Sequence, residues 1–81
     1  MQDPATWTSL GLLYLHHNDA ELANEAFYRA QTLDPDYHLA WVGQGLVATN
    51  NGHVDDARFL FEHAVTLTAN VVRSTATNFT F

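Results

Sequence analysis

Residues 7–35 read WTSLGLLYLHHNDAELANEAFYRAQTLDP, and residues 41–69 read WVGQGLVATNNGHVDDARFLFEHAVTLTA. An offset of 34 residues aligns the two stretches and pairs identical residues along their length. A fixed period of this length is typical of proteins in which similar structural units stack on one another. The identical pairs include Trp7 and Trp41, Gly11 and Gly45, Ala23 and Ala57, Phe27 and Phe61, Ala30 and Ala64, and Leu33 and Leu67.

Each copy of the repeat predicts two helices. Asp3 and Pro4 form a typical helix start, since aspartate caps a first turn and proline suits its first position. Apolar residues then recur at three- and four-residue spacing, which indicates one face of a helix. Asp34 before Pro35 ends the second helix, because proline disfavours helical geometry in the residue before it. The helices are expected from Pro4 to before Asn18, from Asp19 to Asp34, from about Tyr37 to Thr49 and from near Val54 to about Thr68.

Small residues predict how the helices pack. Gly11 and Ala23 in the first copy allow two antiparallel helices to approach closely, and Phe27 fills the space beside them. Ala30 leaves room for the first helix of the next copy to lie against the second helix of its predecessor. We therefore expect an all-α fold, an α-solenoid of antiparallel helix pairs.

The first copy resembles the tetratricopeptide repeat. All eight signature positions of that family match. The second copy departs from the signature at Gln44, Ala48 and Ala69, and a buried Gln44 would need a hydrogen-bond partner. The resemblance implies one repeat over residues 4–37, a second over 38–71, and a truncated start of a third repeat or a frayed tail over 72–81. The matching residues of the first copy are Trp7, Leu10, Gly11, Tyr14, Ala23, Phe27, Ala30 and Pro35.

A narrower stretch, Ala40-Trp41-Val42-Gly43-Gln44, is similar to the repeat scaffold of the superkiller complex. That family organises an RNA helicase and a β-propeller subunit and feeds messenger RNA to the cytoplasmic exosome. The resemblance implies a scaffold of RNA decay in the cytoplasm, with the nucleus as the alternative location.

Composition excludes several classes of function. The net charge is −6, with three arginines and no lysine, which opposes binding to nucleic acid and to acidic membranes. No apolar run approaches the roughly 18 residues that a membrane helix needs. The chain has no cysteine, and no two of its five histidines stand at the i, i+4 spacing of a helical zinc site. We expect no enzymatic activity, no cofactor and no metal.

In the resembled family, the first helices of successive repeats line a groove that receives peptides or a partner's helix. Mapping that groove onto this chain gives a largely apolar face, which favours an apolar or helical partner segment. Two positions that would hold a partner's carboxylate in chaperone-binding members carry Thr8 and Leu12 here, so a carboxylate clamp is not expected. The predicted partner-binding residues are Ala5, Thr8, Leu12, Leu15, His16, Leu39, Val42, Leu46, Thr49 and Asn50.

Two further interpretations stay open. The chain can be a structural spacer whose faces are all covered by neighbouring repeats, in which case the isolated segment would self-associate. Direct contact with RNA is the other alternative, and the net charge of −6 opposes it.

Overall fold

The structure, a computed structural model, describes the backbone of residues 3–78 and the side chains of residues 3–69. Within this range the chain forms four helices and no strand. The all-α prediction is confirmed. The helices are α1 (Pro4–His16), α2 (Ala20–Leu33), α3 (His38–Asn50) and α4 (Val54–Asn78).

Aspartate caps begin both helices of the first copy. A carboxylate oxygen of Asp3 accepts a hydrogen bond from the Thr6 backbone N–H at 2.7 Å, and Asp19 accepts from Leu22 at 3.2 Å. The hydrogen bonds from Thr6 hold the pKa of Asp3 below its ordinary value. Between α1 and α2, Asn18 adopts a left-handed backbone conformation, with φ of 64°, which asparagine tolerates better than most residues. The two predicted helix starts are therefore confirmed.

The connection from α2 to α3 is held by polar contacts within it and with α3. The indole N–H of Trp41 donates to the Pro35 carbonyl at 2.9 Å, and the Asp36 backbone N–H donates to the Asp34 carboxylate at 3.1 Å. Proline has no N–H, so its carbonyl is the only polar backbone group it can offer. Trp41 thus ties the first turns of α3 to the linker that precedes it.

Within the described residues, α3 is the central helix. It packs against α1, α2 and α4, α1 also packs against α2, and α4 contacts no helix besides α3. Two consecutive antiparallel pairs with the second stacked on the first form a short solenoid, as the repeat predicts.

Phe27 is the central side chain of the stack and is fully buried. A Cβ atom placed on Gly11 would lie 2.6 Å from its ring, and one placed on Gly43 would come closer still. Phe27 therefore lies between the backbones of α1 and α3, and both glycines are needed for that approach. Gly45 makes the same contact with Phe61 in the second pair. The predicted role of Gly11 is confirmed, whereas Gly43 was not recognised from the sequence.

The remaining core is built largely of small residues. Alanine dominates because the helix axes approach closely and leave little space between the backbones. The buried apolar residues are Ala23, Ala26, Phe27, Ala30, Ala40, Val47, Ala48, Ala57 and Ala64.

The predicted end of the fourth helix near Thr68 is wrong, since α4 continues to Asn78. The physical reason is the missing stop signal. Ala69 stands where the first copy has Pro35, and no proline or glycine follows Gly52. The assignment of residues 72–81 to a third repeat or a tail stays a prediction, and residues 79–81 lie outside the described part. Within that part, no helix is both long and apolar enough to cross a membrane.

Candidate functional site

The two tryptophans occupy equivalent surroundings, which supports one repeated unit. The guanidinium Cζ of Arg29 lies 5.2 Å from the centre of the Trp7 ring, and the His63 ring lies 4.2 Å from the Trp41 ring. Arg29 and His63 are themselves 34 residues apart, as the tryptophans are. Each indole is thus covered by a nitrogen-bearing side chain from the second helix of its own pair.

The ten residues predicted to bind a partner lie on α1 and α3, and we call them the first-helix face. These two helices contact each other. Leu12 and Leu46 occupy the same repeat position and are 47% and 39% exposed, and Leu39 is 44% exposed. The exposed members of the face are Ala5, Leu12, His16, Leu39, Leu46, Thr49 and Asn50.

Three members of the first-helix face are not open to a partner in the same way. Thr8 is only 4% exposed, so the prediction that it lies on the binding surface is wrong, and it belongs to the interior. Its hydroxyl oxygen makes no hydrogen bond among the described residues. Leu15 packs against the core around Phe27, and Val42 is half-buried. Register along the repeat placed these residues correctly on α1 and α3 but could not show which positions the helix contacts cover.

Gln44 finds the partner that its position requires. Its side-chain oxygen accepts a hydrogen bond from the Gln31 amide at 2.8 Å in a partly buried setting. The bond joins α2 of the first pair to α3 of the second, so it lies at the junction between the repeats. The other copy has an apolar residue at each of these two positions. Gln44 corresponds to Leu10, and Gln31 corresponds to Val65.

A groove that the sequence did not reveal lies on the other side of α3. Because α2 and α4 both pack on α3 but not on each other, they leave a cleft of about 570 Å³ with α3 as its floor. Successive residues of a helix are about 100° apart, which puts the α3 residues of this cleft about 150° from the first-helix face. We call it the α2–α4 groove, and its lining residues are Ala20, Glu21, Asn24, Gln44, Val47, Ala48, Asn51, His53, Asp56, Phe59 and Leu60.

A second depression, of about 350 Å³, lies at the end of the stack. We call it the end face. Phe61 and Ala64 line it, and their counterparts in the first copy, Phe27 and Ala30, are fully buried where α3 is packed on α2. The end face therefore corresponds to the surface that a following helix covers in the first copy. Its lining residues are Val42, Phe61, Ala64, Val65, Thr68 and Ala69.

The ionisable side chains of the described residues do not form a metal site. No group of three or more His, Asp or Glu side chains in that part is placed to hold an ion. His16 and His17 lie edge to face, with ring centres 5.5 Å apart, and His63 lies against Trp41. The contacts seen for these three histidines are therefore with aromatic rings.

Comparison with known proteins agrees with this architecture. A family model for the tetratricopeptide repeat matches residues 4–37. Tetratricopeptide repeat protein 37 of Xenopus laevis is 43% identical over 67 residues, 83% of this chain. Superkiller complex protein 3 of Mus musculus is 48% identical over 60 residues, 74% of this chain. Superkiller protein 3 of Saccharomyces cerevisiae is 30% identical over 76 residues, 94% of this chain.

The similarity covers most of this chain but a small part of each relative. The aligned regions amount to 4% of the Xenopus and mouse proteins and 5% of the yeast protein. The residues that the family model matches, 4–37, are one 34-residue unit that holds the first pair of helices. The chain belongs to the tetratricopeptide repeat family, in a stretch similar to part of the superkiller complex proteins.

Proposed function

We propose that this chain is a protein-interaction segment of a repeat scaffold and that it binds a partner through the first-helix face. The observation that carries the proposal is the row of exposed leucines on adjacent helices. Leu12, Leu39 and Leu46 each keep 39–47% of their surface exposed. Exposed apolar side chains grouped on one face of a folded domain favour an interaction site.

The chemistry of the face selects the kind of partner. Fully burying a leucine stabilises a complex by about 1.5–3 kcal/mol, so covering the exposed part of each of these three leucines contributes about 1 kcal/mol. The exposed members of the face include no Lys or Arg, and Thr8, one of the two positions at which a carboxylate would be held, is buried. An apolar segment, such as one side of a partner helix, therefore fits better than a free carboxylate.

The similarity to superkiller complex proteins supports a place in a complex of that type. A scaffold of cytoplasmic RNA decay is the specific form of the proposal, with the nucleus as the alternative location. The scaffold would hold other proteins and leave RNA to them, because a net charge of −6 with three arginines repels a polyanion.

The second candidate function is that of a spacer repeat with no direct partner contact. The end face favours this function, because the corresponding apolar surface of the first pair is covered by the helix that follows it, α3. An isolated chain with an uncovered end face is expected to self-associate. This interpretation leaves the exposed leucines of the first-helix face without a role of their own in binding.

A binding measurement with matched variants separates the two functions. The test is a pull-down of the helicase and β-propeller subunits of a superkiller complex. The full chain is used as bait and is compared with a double variant that carries both Leu12→Asp and Leu46→Asp. Leu33→Asp is the control, because Leu33 is 52% exposed but lies at the end of α2. The double variant is expected to capture the subunits at least about tenfold more weakly, because binding would bury a charge at each of the two leucine positions. The control is expected to capture them as well as the parent chain does. Equal capture by all three proteins would reject the first-helix face as the binding surface.

A further inference from the structure

The α2–α4 groove is a concave surface with apolar and charged parts in a definite arrangement. Ala20, Val47, Ala48 and Leu60 are buried or half-buried in its lining, while Phe59 stands 65% exposed on the α4 side. The volume of about 570 Å³ falls within the range of known ligand pockets. The groove therefore offers an apolar floor and an aromatic side chain to a bound segment.

With histidine counted as neutral, as for His53 in the lining, the charge in the groove has one sign. Glu21 on α2 and Asp56 on α4 are exposed carboxylates on opposite walls. Of the arginines whose side chains are described, neither Arg29 nor Arg58 lines the groove. A ligand that carries positive charge is thus attracted from both sides.

These acids also have a structural role. Glu21 and Asp56 lie in the first turns of their helices, where negative charge stabilises a helix on its own. The carboxylates alone therefore do not define a ligand. Their place on the two walls of one apolar cleft, next to an exposed phenylalanine, is the additional feature that points to a ligand.

From this arrangement we infer that the α2–α4 groove binds a segment of a partner protein that carries arginine or lysine beside apolar side chains. The apolar side chains cover Phe59 and Leu60, and the cationic groups pair with Glu21 and Asp56. Gln44 accepts from Gln31 through its oxygen, which leaves its amide nitrogen to donate to a backbone carbonyl of the segment. This partner lies on the side of α3 opposite the first-helix face, so the two surfaces can be occupied at the same time.

The inference is tested by titrating the full chain with two designed peptides, followed by amide NMR shifts. One is a short acetylated and amidated peptide of leucine, alanine and arginine, and the other has glutamate in place of arginine. The arginine peptide is expected to shift the amides of Ala20, Asn24 and Val47. The glutamate peptide is expected to leave them unchanged, because it meets carboxylates of its own sign.

Matched variants separate a specific site from attraction to an acidic protein. Glu21→Gln with Asp56→Asn removes two charges from the groove and is expected to weaken binding of the arginine peptide about tenfold. Asp36→Asn with Glu62→Gln removes the same charge from exposed positions outside the groove and is expected to change it less than about twofold.

A second pair of variants tests the apolar contact. Phe59→Ala is expected to weaken binding about fivefold, whereas Val65→Ala, at a residue with 66% exposure outside the groove, leaves it unchanged. Unaltered far-UV circular dichroism shows that each variant keeps its fold. The inference is overturned by shifts centred on Leu12 and Leu46, by equal losses in the two charge variants, by binding of the glutamate peptide, or by no binding of the arginine peptide at millimolar concentration.

Discussion

Replacing Gly43 by alanine is expected to destabilise the chain, although helix propensity alone predicts the opposite. Gly43 lies inside α3, where alanine is favoured over glycine by about 1 kcal/mol. The new methyl group would, however, overlap the ring of Phe27, which is fully buried. The sign of the effect therefore depends on whether that ring can move.

The geometry indicates that the ring cannot move far. The same three ring atoms of Phe27 also meet Gly11 on α1, where an added Cβ would lie 2.6–2.8 Å from them. Overpacking a well-packed core costs about 1–3 kcal/mol, and a ring held between two backbones belongs at the upper end. About 3 kcal/mol of strain less about 1 kcal/mol of helix propensity leaves a net loss of about 2 kcal/mol in the free energy of unfolding.

The measurement is urea denaturation of the full chain followed by far-UV circular dichroism. A double-variant cycle adds Phe27→Leu, whose smaller side chain gives space to the methyl group that Gly43→Ala introduces. We expect Gly43→Ala to be less destabilising in the Phe27→Leu background than in the parent chain, which gives a coupling energy of the order of 1 kcal/mol. A higher unfolding midpoint for Gly43→Ala, or additive effects of the two changes, would refute the close packing of α3 on Phe27.

Four other expected outcomes follow from single contacts. Thr8→Val removes a buried hydroxyl without a partner and should stabilise the chain by about 1 kcal/mol, read from the urea midpoint. Gln31→Leu or Gln44→Leu alone should cost about 1–2 kcal/mol by leaving one amide unpaired, while the double variant should be nearly neutral in the same measurement. The pKa of Asp3 is lowered on folding, so its stabilisation is present above its unfolded pKa and lost as the pH falls through the folded value. Asp3→Ala should remove that part of the pH dependence in acid titrations followed by circular dichroism. Ala69→Pro should end α4 early and reduce the helical signal, because proline breaks a helix interior; an unchanged signal would contradict the continuous helix.

The sequence predicted the parts of the fold that repeat. The 34-residue offset identified the helix pairs, and the pairing of small residues with Phe27 predicted its contact with Gly11. The role of Gly43 could not be predicted from the repeat, because its counterpart in the first copy is Ser9. A residue that makes a contact between two repeats does not have to recur with the 34-residue period. The length of α4 was missed for a related reason, since it depends on a proline that is absent rather than on a residue that is present.

The candidate surfaces likewise include parts that the sequence predicted and parts that it did not. Register placed the exposed residues Leu12, Leu39 and Leu46 on one face of α1 and α3, but it also placed Leu15 there, which packs against the core. The burial of Thr8 depends on how helices of the stack meet, and the α2–α4 groove needs three helices in place. Glu21 and Asp56 look like ordinary first-turn acids until α3 sets them on opposite walls of one cleft.

The amide pair at the junction also determines which units can be neighbours. Gln44 is satisfied only if the preceding pair presents a polar group at the position of Gln31, and the next such position in the chain carries Val65. A helix like α3 docked on the end face would leave its glutamine amide against valine, at a cost of about 1–3 kcal/mol. Conversely, Gln31 in contact with a leucine such as Leu10 would be equally unpaired. The Gln31–Gln44 pair therefore favours the packing of α3 on α2 over an arrangement in which either helix packs on its counterpart from another repeat. It also fixes α3 in an orientation that exposes leucines on one side and forms the floor of the α2–α4 groove on the other.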